Sequence, residues 1–309
     1  MKTKLPNLAI VTQSYRGDFN ECRLLCESID RFVDKSIAHY IFVNDEDYML
    51  FNNGSISNRH IIKKKSTILP KYWFNFPFKI LGHKYFISPV TIPVREWIIQ
   101  QICKLGAFDI IGDSVDAIIN IDSETVFMRP FNVNDIYDVR TDKYIFFKES
   151  FREEPCHEEY CLASKKILNL PVGLDKLDKF CYMSHPVVFV RENISMLLNE
   201  INNNGTFFKN WKNILGNTYR FSEYYLYGIF TDYILNLKRH YIIDEHLFPM
   251  IDIRDIKNET MLEDAIHKIM SKPLCLGVWL QKSKRNASET QYLNYKTIDS
   301  IVKKIWTTV

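Results

Sequence analysis

The run AIINIDSETVFMRPF (117–131) begins as a buried strand and ends in two carboxylates one residue apart, Asp122 and Glu124. Along an extended backbone, residues i and i+2 point to the same side, so the pair offers two hard oxygen donors together while Ser123 faces away. Mg²⁺ and Mn²⁺ favour such donors, taking one or two from protein and the rest from water and substrate phosphates. A cation held there neutralises charge on a departing diphosphate. The plain alternative is two acids opening a solvated loop. RFSEYYLYG (220–228) is the second reactive stretch. Ser222 is placed to cap a helix with Glu223 in its first turn, where the helix N-terminus lowers a carboxyl pKa and leaves an ionised group competent as a general base. Tyr224, Tyr225, Tyr227 and Gly228 beside it suit a wall for a sugar ring, or else core aromatics.

The elements that must position these groups follow from periodicity. LAIVT (8–12) reads as a strand, QSYRGDFNE as a loop, and Cys22, Leu25, Cys26, Ile29 and Phe32 recur at helical spacing, with Asp18 and Glu21 as an approximate capping box. HYIFVNDED (39–47) is a second strand ending in acids. REWIIQQICKLGA (95–107) predicts a helix with Ile98, Ile102 and Leu105 on one face and Gly106 as its stop. The order strand, helix, strand, then helix, strand predicts an open α/β sheet, in which ligands gather at the carboxyl ends of strands. Asp122 and Glu124 stand at such an end. Further along, KYIFFKE (143–149), PVVFVRE (186–192), HYIID (240–244) and LCLGVW (274–279) read as strands. SEYYLYGIFTDYILNL (222–237) reads as one long aromatic helix and TIDSIVKKIW (297–306) as a closing amphipathic one. NRHIIKKKS (58–66) reads as a solvated basic loop with some reach toward an anionic membrane or lipid-linked acceptor. With no linker or repeat, residues 1–309 form a single large domain.

Composition bounds the rest. A hydrophobic content of 46% supports a sizeable core, and Lys+Arg 40 against Asp+Glu 37 lacks the excess of a dedicated nucleic-acid binder. Seven cysteines without a C-x-x-C pair suggest neither a disulfide framework nor a zinc site and fit a reducing, cytoplasmic setting. No run of 18 apolar residues predicts a membrane span, and the N-terminus reads as a first core strand, not a signal peptide.

The apolar strand, the acid pair, the TVFMRPF continuation and the preceding WIIQQICKLGA helix together resemble the region around the D-x-D motif of GT-A-fold glycosyltransferases, from LAIVTQSY to about Pro130. Glu124 replaces the commoner second Asp. More narrowly, the chain looks like bacterial proteins that build surface polysaccharides. The resemblance implies a GT-A-like, Rossmann-type mixed sheet flanked by helices, with a nucleotide-sugar-binding half (1–130) and an acceptor-binding half (131–309). It implies a nucleoside-diphosphate-sugar donor, a divalent Mn²⁺ or Mg²⁺ on Asp122 and Glu124, and a glycan or lipid-linked glycan acceptor. Thr12, Gln13, Ser14, Tyr15 and Arg16 then fall where the nucleotide binds. Asp45 falls at a base or ribose contact, and Trp97, Gln101 and Lys104 on a helix face bordering the donor, with Lys104 or Arg95 meeting phosphate. Glu223 becomes the base of an inverting transfer. His185 falls among acceptor contacts, His246 is a candidate third metal ligand, and Lys282, Lys284 and Arg285 are placed to close over the diphosphate. Each of these also has an ordinary structural reading as a connection, a solvated face or a core contact. Two competing functions stay open. One is a sugar nucleotidyltransferase, which calls for a Gly-rich phosphate loop where QSYRGDFNE has one glycine; the other is a non-catalytic binding module on the same fold.

Overall fold

The computed structural model describes residues 5–150, 156–171, 179–205, 210–282 and 293–308. Its main sheet begins with β1 (Leu8–Gln13), which the helix Phe19–Phe32 connects to β2 (Ala38–Val43), followed by β3 (His60–Lys64). A small antiparallel ribbon comes next, built from β4 (Phe74–Asn75), β5 (Tyr85–Ser88) and β6 (Thr91–Arg95). The helix Glu96–Leu105 then leads to β7 (Ala117–Asn120) and, past the acid pair, to β8 (Thr125–Phe127). Strands β7, β1, β2 and β3 lie parallel in that order, and Val187–Val190 closes the sheet antiparallel to β7. Strand Gly277–Gln281 pairs antiparallel with β8. Both late strands complete structures begun before residue 130, so the two sequence halves interlock. The result is a mixed α/β architecture with helices on both faces of its sheet.

β1 is buried along its length and has two working faces. Ala9 and Val11 pack with Ile98, Ile99 and Ile102 of the helix Glu96–Leu105, while Leu8 and Ile10 pack with Leu25 and Ile29 of the helix Phe19–Phe32. A parallel strand covered on both sides needs a continuous apolar run, which LAIVT supplies. At about 1.5–3 kcal/mol per fully buried aliphatic side chain, these contacts dominate the local energetics. Gly106 caps the helix Glu96–Leu105 as its position predicts.

Three expectations change. The basic run 58–66 contains an edge strand: β3 pairs parallel with β2, and Lys65 is buried, donating to Asn44 Oδ1 at 3.0 Å. The long aromatic helix is the α-helix Glu223–Ile229 continued by a π-helical turn, Phe230–Ile234. Neither Asp18 nor Ser222 makes a side-chain capping bond, although each stands at the N-cap position.

Candidate active-site cleft

The carboxyl edges of β1 and β7 open into a cleft of about 320 Å³. Gln13 comes to it from the end of β1, Asp18 from the turn after it, and Asp122 and Glu124 from the loop after β7. The helix Glu96–Leu105 contributes Trp97, Gln101 and Lys104 at the expected i, i+4, i+7 positions. Glu223 and Tyr224 enter from the helix Glu223–Ile229, and Trp279 from the strand Gly277–Gln281. Ser123 turns inward and donates to the Gln13 carbonyl and to Ser14 Oγ, each at 3.1 Å, which aims Asp122 and Glu124 into the cleft together.

Lys104 is the electrostatic centre. Its ammonium lies 3.0 Å from Asp122 Oδ1 and 2.9 Å from Glu223 Oε1, donates to Tyr224 Oη at 2.7 Å, and sits 4.4 Å from that ring's centroid. Burial disfavours its charge, but the two carboxylates outweigh burial and hold its pKa well above the ordinary lysine value. Burial also works to raise Asp122, yet Lys104 and His185, whose Nε2 lies 3.3 Å from Oδ2, keep it far below the carboxylate range. Glu223 departs from expectation. Its side chain is only 1% exposed, and burial raises its pKa against the pull of Lys104, so dehydration outweighs the helix terminus. Burial, Asp18 and Asp122 push Glu124 up to about 7; burial, Glu21 and Asp122 push Asp18 up to about 6.

Several buried polar atoms here lack a hydrogen-bond partner in the protein: both ends of the Gln13 carboxamide, His185 Nδ1, and Glu223 Oε1, whose contact with Lys104 has ion-pair distance without hydrogen-bond geometry. Buried groups of this kind call for a water, an ion or a ligand as partner. Gln13, Asp18 and Glu124 bring hard oxygens, the donor type that a divalent cation takes, to this one cleft, and the Asp18 charge helps to raise Glu124. Asp122 fits less well as a ligand because Lys104 and His185 already take its two oxygens.

The remaining expected residues divide. Tyr15, Arg16 and Arg95 line a neighbouring cleft of about 390 Å³ that shares Trp97 and Gln100 with the first, and there Arg16 pairs with Asp47 at 2.6 Å. Thr12 is buried beneath, its hydroxyl 3.0 Å from His39 Nε2, because its side chain falls on a covered face of β1. Ser14 is likewise buried. Asp45 lies outside both clefts, accepting from Ser66 Oγ at 2.7 Å. His246 does not join the acid pair: it meets Ser184 Oγ at 3.0 Å and Glu149 at 3.5 Å, and His185 is the histidine on Asp122. Among the tyrosines Tyr224 faces the cleft. Tyr225 bonds His157 at 2.8 Å, Tyr227 bonds His240 at 2.7 Å, and Gly228 lies where Tyr182 crosses, so these three belong to the core. Lys282 pairs with Glu21. Lys284 and Arg285 lie outside the described residues.

Asp18 and Trp279 escaped sequence reasoning. In the sequence Asp18 reads as a helix cap just past the candidate loop, and Trp279 as one more strand residue.

Among the described residues, one set of three potential ligand atoms lies within 4.8 Å, on Cys26, His39 and His60. His39 Nδ1 and His60 Nδ1 are 2.8 Å apart, a hydrogen-bond distance, whereas two nitrogens on a tetrahedral zinc stand about 3.3 Å apart. Their geometry is that of a proton-sharing pair between Thr12 and Asp30. All seven cysteines are free thiols, and no helix of the described residues is long and apolar enough to cross a membrane. No curated protein matches the chain. The model of DUF6492, a family of unknown function, matches residues 5–265, and the chain belongs to that family.

Proposed function

We propose that this protein is a GT-A-like glycosyltransferase that moves a sugar from a nucleoside diphosphate to a hydroxyl of a glycan or lipid-linked glycan, as in bacterial surface polysaccharide synthesis. The observation that carries this reading is the convergence of the Asp122–Lys104–Glu223 ion cluster with the unpartnered Gln13 carboxamide at the carboxyl edge of a parallel sheet. In this reading Gln13, Asp18, Gln101 and Lys104 hold the donor, with Tyr15 and Arg16 extending the site into the neighbouring cleft. Asp18, Glu124 and Gln13 would hold a Mn²⁺ or Mg²⁺ ion, which when bound offsets charge on the leaving diphosphate. Asp122 fixes Lys104, and Glu223 takes the proton of the attacking hydroxyl. The burial that raises its pKa makes its ionised form, held by Lys104, a stronger base. A non-catalytic nucleotide-binding module is the second reading, favoured because Lys104 and His185 already meet both oxygens of Asp122.

Thermal shift across nucleoside diphosphates, with and without Mn²⁺, identifies the nucleotide, since a ligand of the native state raises apparent stability. Turnover of the matching sugar nucleotides then separates the readings. Donor cleavage that disappears in Glu223→Gln with nucleotide binding retained supports transfer. Binding without turnover toward any acceptor supports the module, and diphosphate release from a nucleoside triphosphate supports a nucleotidyltransferase.

A further inference from the structure

The ribbon β4–β6 carries an apolar surface that no other element of the described residues covers. One side is anchored: Trp73 and Val94 are buried, and Trp73 lies against the helix Trp211–Gly216, whose Gly216 has no room for a Cβ. The other side shows Phe74 at 64% exposure, directly paired across the strands with Ile87, itself exposed. Phe78 is 70% exposed and Leu81 91%. Ile80 and His83 exchange both backbone hydrogen bonds, and between them Leu81 and Gly82 have φ of +49° and +78°, a two-residue hairpin tip with positive φ at both central positions. Asn or Gly suits the first of these positions, and here a leucine stands at the apex.

Charge says what covers this surface. Residues 48–95 hold eight Lys and Arg and no Asp or Glu, whereas the rest of the chain holds 32 Lys and Arg against 37 Asp and Glu. Lys71 and Lys79, which flank the apolar side chains, are exposed and have no carboxylate within ion-pair distance among the described residues. Protruding apolar side chains flanked by two unpaired lysines match an interface of anionic headgroups over acyl chains. We infer that the β4–β6 ribbon docks the protein on an anionic lipid surface, with Phe78 and Leu81 inserted and Lys71 and Lys79 at the headgroups. The inference deepens the transfer reading. The same ribbon supplies Lys79, His83 and Lys84 to the basic cleft beside the donor site, so a docked ribbon would bring an acceptor anchored in lipid to that cleft.

Co-sedimentation with phosphatidylcholine vesicles, alone and containing phosphatidylglycerol, tests it. The expected result is binding to the anionic vesicles only, weakened by salt. Phe78→Ser with Leu81→Asn should lower it about a hundredfold by removing two large apolar insertions while Asn keeps the turn. Lys71→Gln should lower it about fivefold. Wild-type protein that binds neither vesicle, or both equally, overturns the inference. So does light scattering that shows a dimer which the Phe78→Ser/Leu81→Asn variant dissolves, because the patch is then a self-interface. Neither residue lines a cleft, so thermal shift by nucleoside diphosphate should persist in that variant, and failure of docking is thereby distinguished from failure of the nucleotide site.

Discussion

Lys104 shows how one residue can set both the stability and the chemistry of the cleft. A buried ammonium between two carboxylates is costly to assemble, and removing it leaves Asp122 and Glu223 facing each other without compensation. Lys104→Met is therefore expected to destabilise the protein by roughly 3 kcal/mol, the low end for breaking a buried pair because about a third of the Asp122 side chain meets solvent. Adding Glu223→Gln removes one orphaned charge and should recover part of that loss. Urea midpoints of the two single variants and the double one measure the coupling. Strict additivity would mean that the two groups do not share a buried ion pair. Separately, if Glu223 is the base, Glu223→Gln should lower turnover by about 10²–10⁴-fold; unchanged turnover would leave it a structural partner of Lys104.

At the scale of elements, the helix Glu223–Ile229 owes its placement to Gly228, where an added Cβ would come within 2.4 Å of Tyr182 Cγ. Gly228→Ala is expected to cost about 1–3 kcal/mol by overpacking, since the ring sits between this helix and Phe146. Thermal unfolding measures the loss; an unchanged or raised midpoint would show that Tyr182 yields freely. This contact also marks the limit of what the sequence discloses. β1, β7, the helix Glu96–Leu105 and the late strands were legible because their apolar residues recur with the period of the element. β3 was not, because an edge strand can expose Lys64, leave Lys63 half-buried and still pair along its backbone. In the cleft, Asp122, Glu124, Gln101 and Lys104 were legible since i+2 and i+4 spacings are local. Asp18 and Trp279 reach the cleft, and His185 reaches Asp122 behind it, only through tertiary packing of the turn after β1 and of two late segments, which no local spacing encodes.

Across the molecule, three buried histidines, His39, His60 and His240, are held toward their neutral form. Burial lowers His39 well below its ordinary value and lowers His60, and it lowers His240 to about 4. Above about pH 6.5, where an unfolded histidine loses its proton, folding carries no protonation cost. As pH falls below that value the unfolded chain binds protons that the folded one refuses, and stability drops until the folded pKa values are passed. For His240 alone the shift from 6.5 to about 4 is worth roughly 3 kcal/mol. Glu124 and Asp18 act oppositely: raised to about 7 and about 6, they take up protons in the folded state first and add stability on acidification. In an Asp18→Asn/Glu124→Gln background, urea stability should fall steadily from pH 7 to pH 4, whereas a flat profile would mean that these histidines titrate freely in the native state.

Backbone hydrogen exchange with the nucleotide of largest thermal shift asks whether a nucleoside diphosphate sits at the carboxyl edge of β1 and β7, as proposed. Slowed exchange is expected at residues 13–18, 96–104 and 121–125 on nucleotide addition, with loss of that slowing in Lys104→Met while the variant remains folded. Slowing confined to segments outside these three, or no binding by any nucleoside diphosphate to the folded wild-type protein, would contradict it.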